Sequence, residues 1–156
     1  MPTTSALITA GAPAAIGPYS QGVDTGELVF CSGQLPIDPA TGELDGTTTS
    51  QQTVRSIANL EAVLAAAGLG LTDVVKTTVY LTDIADFASM NDVYTEHFTG
   101  AALPARSAFQ VAALPRGARV EIEAIARRVA RAGRPVSSVA PQAEHNGHEV
   151  AYCQGH

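Results

Sequence analysis

The chain has 156 residues, and its 15 acidic and 9 basic side chains give a formal net charge of −6 at pH 7. This length is typical of one domain with a substantial core. The acidic balance argues against a general nucleic-acid-binding protein, which needs clustered Lys and Arg, and Lys76 is the only lysine. The sequence contains no apolar run of about 18 residues, so it predicts no membrane-spanning segment. The N-terminus lacks the basic and apolar regions of a signal peptide, and Cys31 and Cys153 are interpreted as reduced thiols. We therefore expect a soluble cytoplasmic protein.

In the first half of the chain, the periodicity of the apolar residues predicts strands and a helix. We expect a short strand at Ala6–Thr9, then strands at Tyr19–Asp24 and Glu27–Ser32 that flank the hairpin turn Thr25-Gly26. The clearest helix runs from Ser50 to Ala67. Its start fits a capping box at Thr48/Gln51 or Thr49/Gln52, and its apolar stripe comprises Val54, Ile57, Leu60 and Leu64.

The second half of the chain also combines strands with a helix. We expect a strand at Val74–Leu81, a helix at Asp86–Phe98 and strands at Arg106–Ala112 and Arg119–Arg128, the last two joined as a hairpin by Leu114–Gly117. The order β-β-α-β-α-β-β predicts an α/β (α+β) sandwich, a mixed sheet with two helices on one face. Residues 1–131 form the predicted domain, and residues 132–156, without periodicity and rich in polar residues, form a predicted disordered C-terminal tail.

Both faces of the predicted sheet are apolar. Val75, Thr77, Val79 and Leu81 are expected on one face of their strand, and Val74, Thr78 and Tyr80 on the other. Because two helices cover only one face, we expect the other face to pack against a second subunit.

Signatures for nucleotides, catalytic serines and zinc proteases are absent, but a few residues suggest chemistry. Arg106 opens an apolar strand and is suited to bidentate binding of a carboxylate, although a solvated or structurally paired arginine is the alternative. Glu121 and Glu123 share one face of their strand, where each raises the pKa of the other, so one of them is a candidate general acid or base. Ion pairs with arginines or a solvated face are the alternative.

Three weaker candidates remain. Asn91 lies on an apolar helix stripe and needs hydrogen-bond partners. Gly17-Pro18 presents Tyr19 with little freedom, for ligand contact or for the core. In the tail, His145, His148, Cys153 and His156 offer zinc ligands, although their spacing and surroundings favour a disordered segment over a metal site.

Six short motifs together indicate a family. In chain order they are Ala14-Ala-Ile-Gly-Pro-Tyr-Ser-Gln-Gly22, Ser32-Gly-Gln34, Val75-Lys-Thr-Thr-Val79, Asp86-Phe87 with Asn91, Pro104-Ala-Arg-Ser107 and Ile122-Glu-Ala124. Over about residues 5–128, this ordered set resembles the Rid (YjgF) family of reactive-intermediate deaminases.

The resemblance implies a chorismate-mutase-like fold, a homotrimer with sites between subunits, and hydrolysis of 2-imino acids such as 2-iminobutanoate and 2-iminopropanoate to 2-oxo acids and ammonia. These imines would come from pyridoxal-phosphate enzymes such as threonine dehydratase, and no metal or organic cofactor is implied. Arg106 would bind the substrate carboxylate and Glu121 would activate water or shuttle a proton. The pocket would be lined by Tyr19, Ser32, Gly33, Asn91 and the backbone of Ala108. Some relatives carry Cys at the position of Ala108, so thiol chemistry is not expected there.

Two other functions compete with imine hydrolysis. One is endoribonuclease activity, attributed to some relatives but disfavoured by the acidic charge. The other is a non-catalytic carboxylate-binding or chaperone-like trimer, which would use Arg106 without needing Glu121.

Overall fold

The computed structural model describes residues 4–129. They form one six-stranded mixed sheet, ordered β1-β2-β3-β6-β4-β5, with two helices packed on one face. All neighbouring strands are antiparallel except β4 and β5, which are parallel. The predicted α+β architecture is thereby confirmed. The elements are β1 Ser5–Leu7, β2 Gly22–Asp24, β3 Leu28–Gln34, α1 Thr49–Ala66, β4 Val74–Leu81, α2 Phe87–His97, β5 Ala105–Gln110 and β6 Val120–Arg127.

Helix α1 begins at the first of the two predicted capping boxes. The backbone N–H of Gln51 donates to Thr48 Oγ1 at 3.2 Å, and the Gln51 side chain accepts from the backbone N–H of Thr48 at 3.3 Å. Gln52 instead anchors a loop and the start of β6, because its amide donates to the Gly46 carbonyl and accepts from the N–H of Arg119. An N-cap residue such as Thr48 typically stabilises its helix by about 1 kcal/mol.

The buried stripe of α1 differs from the predicted one at its first position. Ile57, Leu60 and Leu64 are fully buried, and each such side chain contributes roughly 1.5–3 kcal/mol. Val54 is 45% exposed, which contradicts the prediction. Thr53 is buried in the first turns of α1 and keeps its hydroxyl satisfied by donating to the Thr49 carbonyl.

The predicted hairpin between the last two strands is wrong. β4 lies between β5 and β6, parallel to the first and antiparallel to the second. The connection instead passes over the end of β4, where Val111 N–H donates to the Leu81 carbonyl and Thr82 N–H donates to the Arg119 carbonyl. Turn residues such as Leu114–Gly117 mark a reversal of the chain but do not say whether the two strands become neighbours.

The face assignment of β4 is also wrong at its start. Val74 is 4% exposed and packs in the core, whereas Val75 is 44% exposed on the opposite face. The cause is an irregularity between Val74 and Lys76 in the pairing with β6, which shifts the alternation by one residue.

The segment before β2 is irregular. A strand was expected from Tyr19, but pairing starts only at Gly22. The carbonyls of Ser20 and Gln21 accept from the side chain and backbone of Ser32 instead. Thr25-Gly26 forms the predicted turn between β2 and β3, with Gly26 at φ +93°.

Within residues 4–129, neither helix has the length and apolar character needed to cross a bilayer. The predicted tail, including its histidines and Cys153, lies outside the described residues. Cys31 is a buried free thiol of the core, and burial raises its pKa to about 12.

Candidate active site

Arg106 extends from β5 towards α2. In the register of β4 and β5 it lies opposite Thr77, which is fully buried against the helices. Its guanidinium carbon lies 4.5 Å from the ring centre of Tyr94 and 5.5 Å from that of Phe87. Across the described part of the chain, Arg106 forms no ion pair with a carboxylate. A partly buried cation without a counter-ion is well suited to bind an anionic ligand.

Two further predicted residues lie beside Arg106. Asn91 is one turn from both Phe87 and Tyr94 on α2, so it shares the helix face whose rings contact the guanidinium. Ala108 follows two residues after Arg106 on the same face of β5 and packs against the core. We call Arg106, Asn91 and Ala108 the arginine half-site.

Glu121 lies on the other face of the sheet. Its neighbours Val120 and Ile122 are fully buried under the helices, and its cross-strand partner is Tyr80, whose ring packs edge-on against Phe109 at 5.3 Å. Partial burial, and secondly the charge of Glu123, raise the pKa of Glu121. Such a carboxyl group is suited to proton transfer nearer neutral pH than an ordinary glutamate.

Gly33 and Ser32 lie next to Glu121. The Glu121 carboxylate occupies the space that a Cβ on residue 33 would fill, so a larger residue there would displace this carboxylate from its position. Ser32 is fixed by its hydroxyl, which donates to the Ser20 carbonyl at 2.6 Å. Tyr19 precedes Ser20 and is 55% exposed, which identifies it as a surface side chain and not part of the core. We call Glu121, Ser32, Gly33 and Tyr19 the acid half-site.

The structure therefore brings the seven predicted residues into two groups and not one. Side chains of the arginine half-site extend on the helix-covered face, and Glu121 extends on the uncovered face. Two surface depressions of about 350 and 250 Å³, around Arg55 and around Arg119, contain none of the seven. A single chain thus presents two separate candidate surfaces, one with Arg106 and one with Glu121.

Sequence analysis missed the aromatic surroundings of Arg106. The predicted hairpin placed the Arg106 strand beside β6 and left its relation to α2 undefined, so nothing in the sequence linked Phe87 or Tyr94 to Arg106. A parallel β4–β5 pair connected through α2 would have placed Arg106 under that helix.

Residues 4–129 contain no cluster of potential metal ligands. No group of three or more His, Cys, Asp or Glu side chains lies close enough together within residues 4–129 to hold an ion. His145, His148, Cys153 and His156, for which the sequence favours a disordered segment over a zinc site, lie outside the described residues.

Comparison with known proteins extends over nearly all of the folded region. A curated 2-iminobutanoate/2-iminopropanoate deaminase of Salmonella typhimurium is 50% identical over 124 residues, which cover 78% of this chain and 96% of the relative. The protein of the same name from Bos taurus is 52% identical over 120 residues, covering 77% and 87%. The crystal structure of E. coli TdcF with bound serine is 47% identical, with a TM-score of 0.75 and coverage of 80% of this chain and 99% of that one.

The sequence model of one family, described as Endoribonuclease L-PSP, matches residues 9–128. This range includes both half-sites and every strand from β2 onwards. The chain therefore belongs to the Endoribonuclease L-PSP family, which is also called the YjgF or Rid family.

Proposed function

We propose that this protein hydrolyses 2-imino acids, in particular 2-iminobutanoate and 2-iminopropanoate, to 2-oxo acids and ammonia. The observation that carries the proposal is Arg106, a partly buried guanidinium on two aromatic rings with no carboxylate partner among residues 4–129. It provides a binding site for the substrate carboxylate. The names of relatives at about 50% identity support the same reaction.

The proposed assembly is a homotrimer with its sites between subunits. The uncovered sheet face exposes Phe30, Val75 and Phe109 by 41–46% each, which is apolar surface that a second copy would bury. Glu121 lies on this face, whereas Arg106 does not. In a closed head-to-tail ring, each copy contacts the next one through two different surfaces. A second copy that covers this face can therefore bring its own Arg106 to the Glu121 of the first copy.

The proposed mechanism uses protein groups and water. Arg106 holds the carboxylate and Glu121 orients a water molecule beside the imine carbon, which replaces a chance encounter with a positioned one. The water oxygen bonds to the imine carbon, the C=N electron pair moves to nitrogen, and Glu121 transfers the proton from water to nitrogen. Glu121 then moves the hydroxyl proton of the resulting carbinolamine to its nitrogen, and the C=O bond forms as the C–N bond breaks and ammonia leaves. Removal of reactive imines and their enamine tautomers would be the biological consequence.

The direct test generates 2-iminobutanoate in situ with threonine dehydratase and follows its loss in the presence of the purified chain. We expect the chain to accelerate the loss and Arg106→Ala to abolish the acceleration. Full activity of Arg106→Ala would remove the proposed role of the guanidinium.

Two alternative functions, endoribonuclease activity and non-catalytic carboxylate binding, can each be tested by experiment. The name of the family, Endoribonuclease L-PSP, favours testing for endoribonuclease activity. RNA cleavage that persists through repeated purification, with no imine hydrolysis, would support it. If the protein is a non-catalytic carboxylate binder, Glu121→Gln should retain affinity for 2-oxo acids, and neither the wild type nor the variant should hydrolyse imines. Location in the cytoplasm stays an expectation from the sequence.

A further inference from the structure

Arg106 is held in place without an ion pair. A free arginine side chain gives up roughly 2 kcal/mol of rotamer entropy when it is fixed, so something must compensate if the guanidinium is ordered before a ligand arrives. The groups that contact it are the rings of Tyr94 and Phe87. The first is 6% exposed and the second 36% exposed, so the contacts are shielded on one side and open on the other.

Tyr94 is itself fixed at both ends. Its hydroxyl lies 2.7 Å from Thr77 Oγ1, and its ring stacks on Phe98 at a centroid distance of 4.1 Å and an interplanar angle of 20°. Thr77 is the residue opposite Arg106 in the β4–β5 register. The ring is therefore tied to the same point of the sheet from which the arginine extends.

The contact leaves the arginine free to bind. An aromatic ring attracts the guanidinium through its π face and so occupies none of its five N–H donors as an ordinary acceptor would. Burial raises the pKa of Tyr94, so the phenol remains neutral and forms no competing ion pair with Arg106. The donors stay available for a bidentate carboxylate.

We propose that Tyr94 and Phe87 are positioning residues, whose rings hold the Arg106 guanidinium ready to receive the carboxylate and thereby set the affinity of the site for 2-oxo and 2-imino acids. This inference rests on the proposed function for the identity of the ligand. It assigns neither ring a contact with the substrate.

The experiment measures binding of pyruvate and 2-oxobutanoate by calorimetry to the full chain in its natural assembly. The variants are Tyr94→Leu, Phe87→Leu and Tyr94→Phe, with Arg106→Gln as the baseline. Loss of one ring–guanidinium contact should weaken binding of both acids by about 3- to 30-fold in Tyr94→Leu, with a smaller loss in Phe87→Leu. Tyr94→Phe keeps the ring and should restore most of the affinity.

Kinetics separate positioning from damage to the fold. In Tyr94→Leu we expect KM for 2-iminobutanoate to rise by the same factor as the dissociation constants, with kcat changing much less. Equal losses of affinity and kcat in Tyr94→Leu and Tyr94→Phe would mean that the hydroxyl and not the ring matters, and would overturn the proposal.

Two further outcomes are decisive. If Tyr94→Leu does not fold, Phe87→Leu decides, because the side chain of Phe87 is partly exposed; unchanged affinity there overturns the proposal. A loss in Phe87→Leu that is much larger for 2-oxobutanoate than for pyruvate would show that the ring contacts the ligand's alkyl group, which also overturns it. If Arg106→Gln binds like the wild type, the proposed function fails, whereas loss in Arg106→Gln with no effect of either ring refutes only this inference.

Discussion

Arg106 and Glu121 extend from opposite faces of the same sheet. Arg106 pairs in register with Thr77 under α2, and Glu121 pairs with Tyr80 on the uncovered face. The two residues lie on β5 and β6 with β4 between them, and the sheet backbone separates their side chains. A small imino acid cannot contact both groups of one chain, so the proposed chemistry requires a second copy.

The unpaired guanidinium predicts a specific effect of charge removal. We expect Arg106→Gln to lower kcat/KM for 2-iminobutanoate by about 100-fold or more, because a charge-assisted bidentate contact is lost. Arg55→Gln is the matched control and should retain wild-type activity, because Arg55 lies on α1, away from the uncovered sheet face, and lines a surface depression that contains none of the seven candidate residues. Comparable losses in both variants would indicate a general effect of net charge and not a carboxylate site.

The close approach of Glu121 to Gly33 predicts a severe effect of one methyl group. In Gly33→Ala the new Cβ would coincide with the Glu121 carboxylate and displace it. We expect kcat to fall by at least about 10-fold, since misplacement of a catalytic group by about 1 Å can cost two orders of magnitude. Gly70→Ala, where an added Cβ meets no atom within 4 Å, is the control. Normal kcat in Gly33→Ala would show that Glu121 does not need its present position.

The neighbouring carboxylate predicts a shift in the pH profile. Burial is the main cause that raises the pKa of Glu121, and Glu123 is the second. Activity that needs ionised Glu121 falls as the pH drops through that pKa, and Glu123→Gln should move this acidic limb to lower pH. A limb that stays in place or moves upwards would exclude Glu123 as a cause.

The same shift predicts how stability depends on pH. Because the folded-state pKa of Glu121 lies above its ordinary value of 4.5, the group's contribution to stability is fully present below that value and is lost as pH rises through the raised pKa. Glutamine stays neutral throughout. The free energy of unfolding of Glu121→Gln, minus that of the wild type, should therefore increase with pH across this window. Chemical denaturation at a series of pH values measures it, and a difference that is constant or decreases would contradict the account.

Local signals in the sequence predicted most of the elements, and longer-range relationships explain the errors. The α1 capping box and the β2–β3 turn depend on contacts within three or four residues, which the sequence displays directly. The position of β5 depends on whether its connection to β6 crosses β4, and turn residues are the same in both cases. Val75 changed face because one irregularity in β4 shifts a period of two.

The candidate site shows the same division. Residue types identified Arg106, the pair of Glu121 and Glu123, and the weaker candidates Tyr19 and Asn91. Family resemblance then favoured Glu121 over Glu123 and added Ser32, Gly33 and Ala108. Strand alternation within β6 correctly put Glu121 and Glu123 on one face. It could not relate β6 to β5, because that relation depends on strand order, and so the separation of Arg106 from Glu121 emerged only from the structure.

The most direct test of the central claim mixes two inactive chains. Arg106→Gln and Glu121→Gln are co-expressed or refolded together in equal amounts, and 2-iminobutanoate hydrolysis is measured per chain. If each site takes Arg106 from one copy and Glu121 from its neighbour, about one quarter of the sites in random head-to-tail assemblies are intact, and about one quarter of wild-type activity should return. A mixture no more active than its two parents would contradict a site shared between copies.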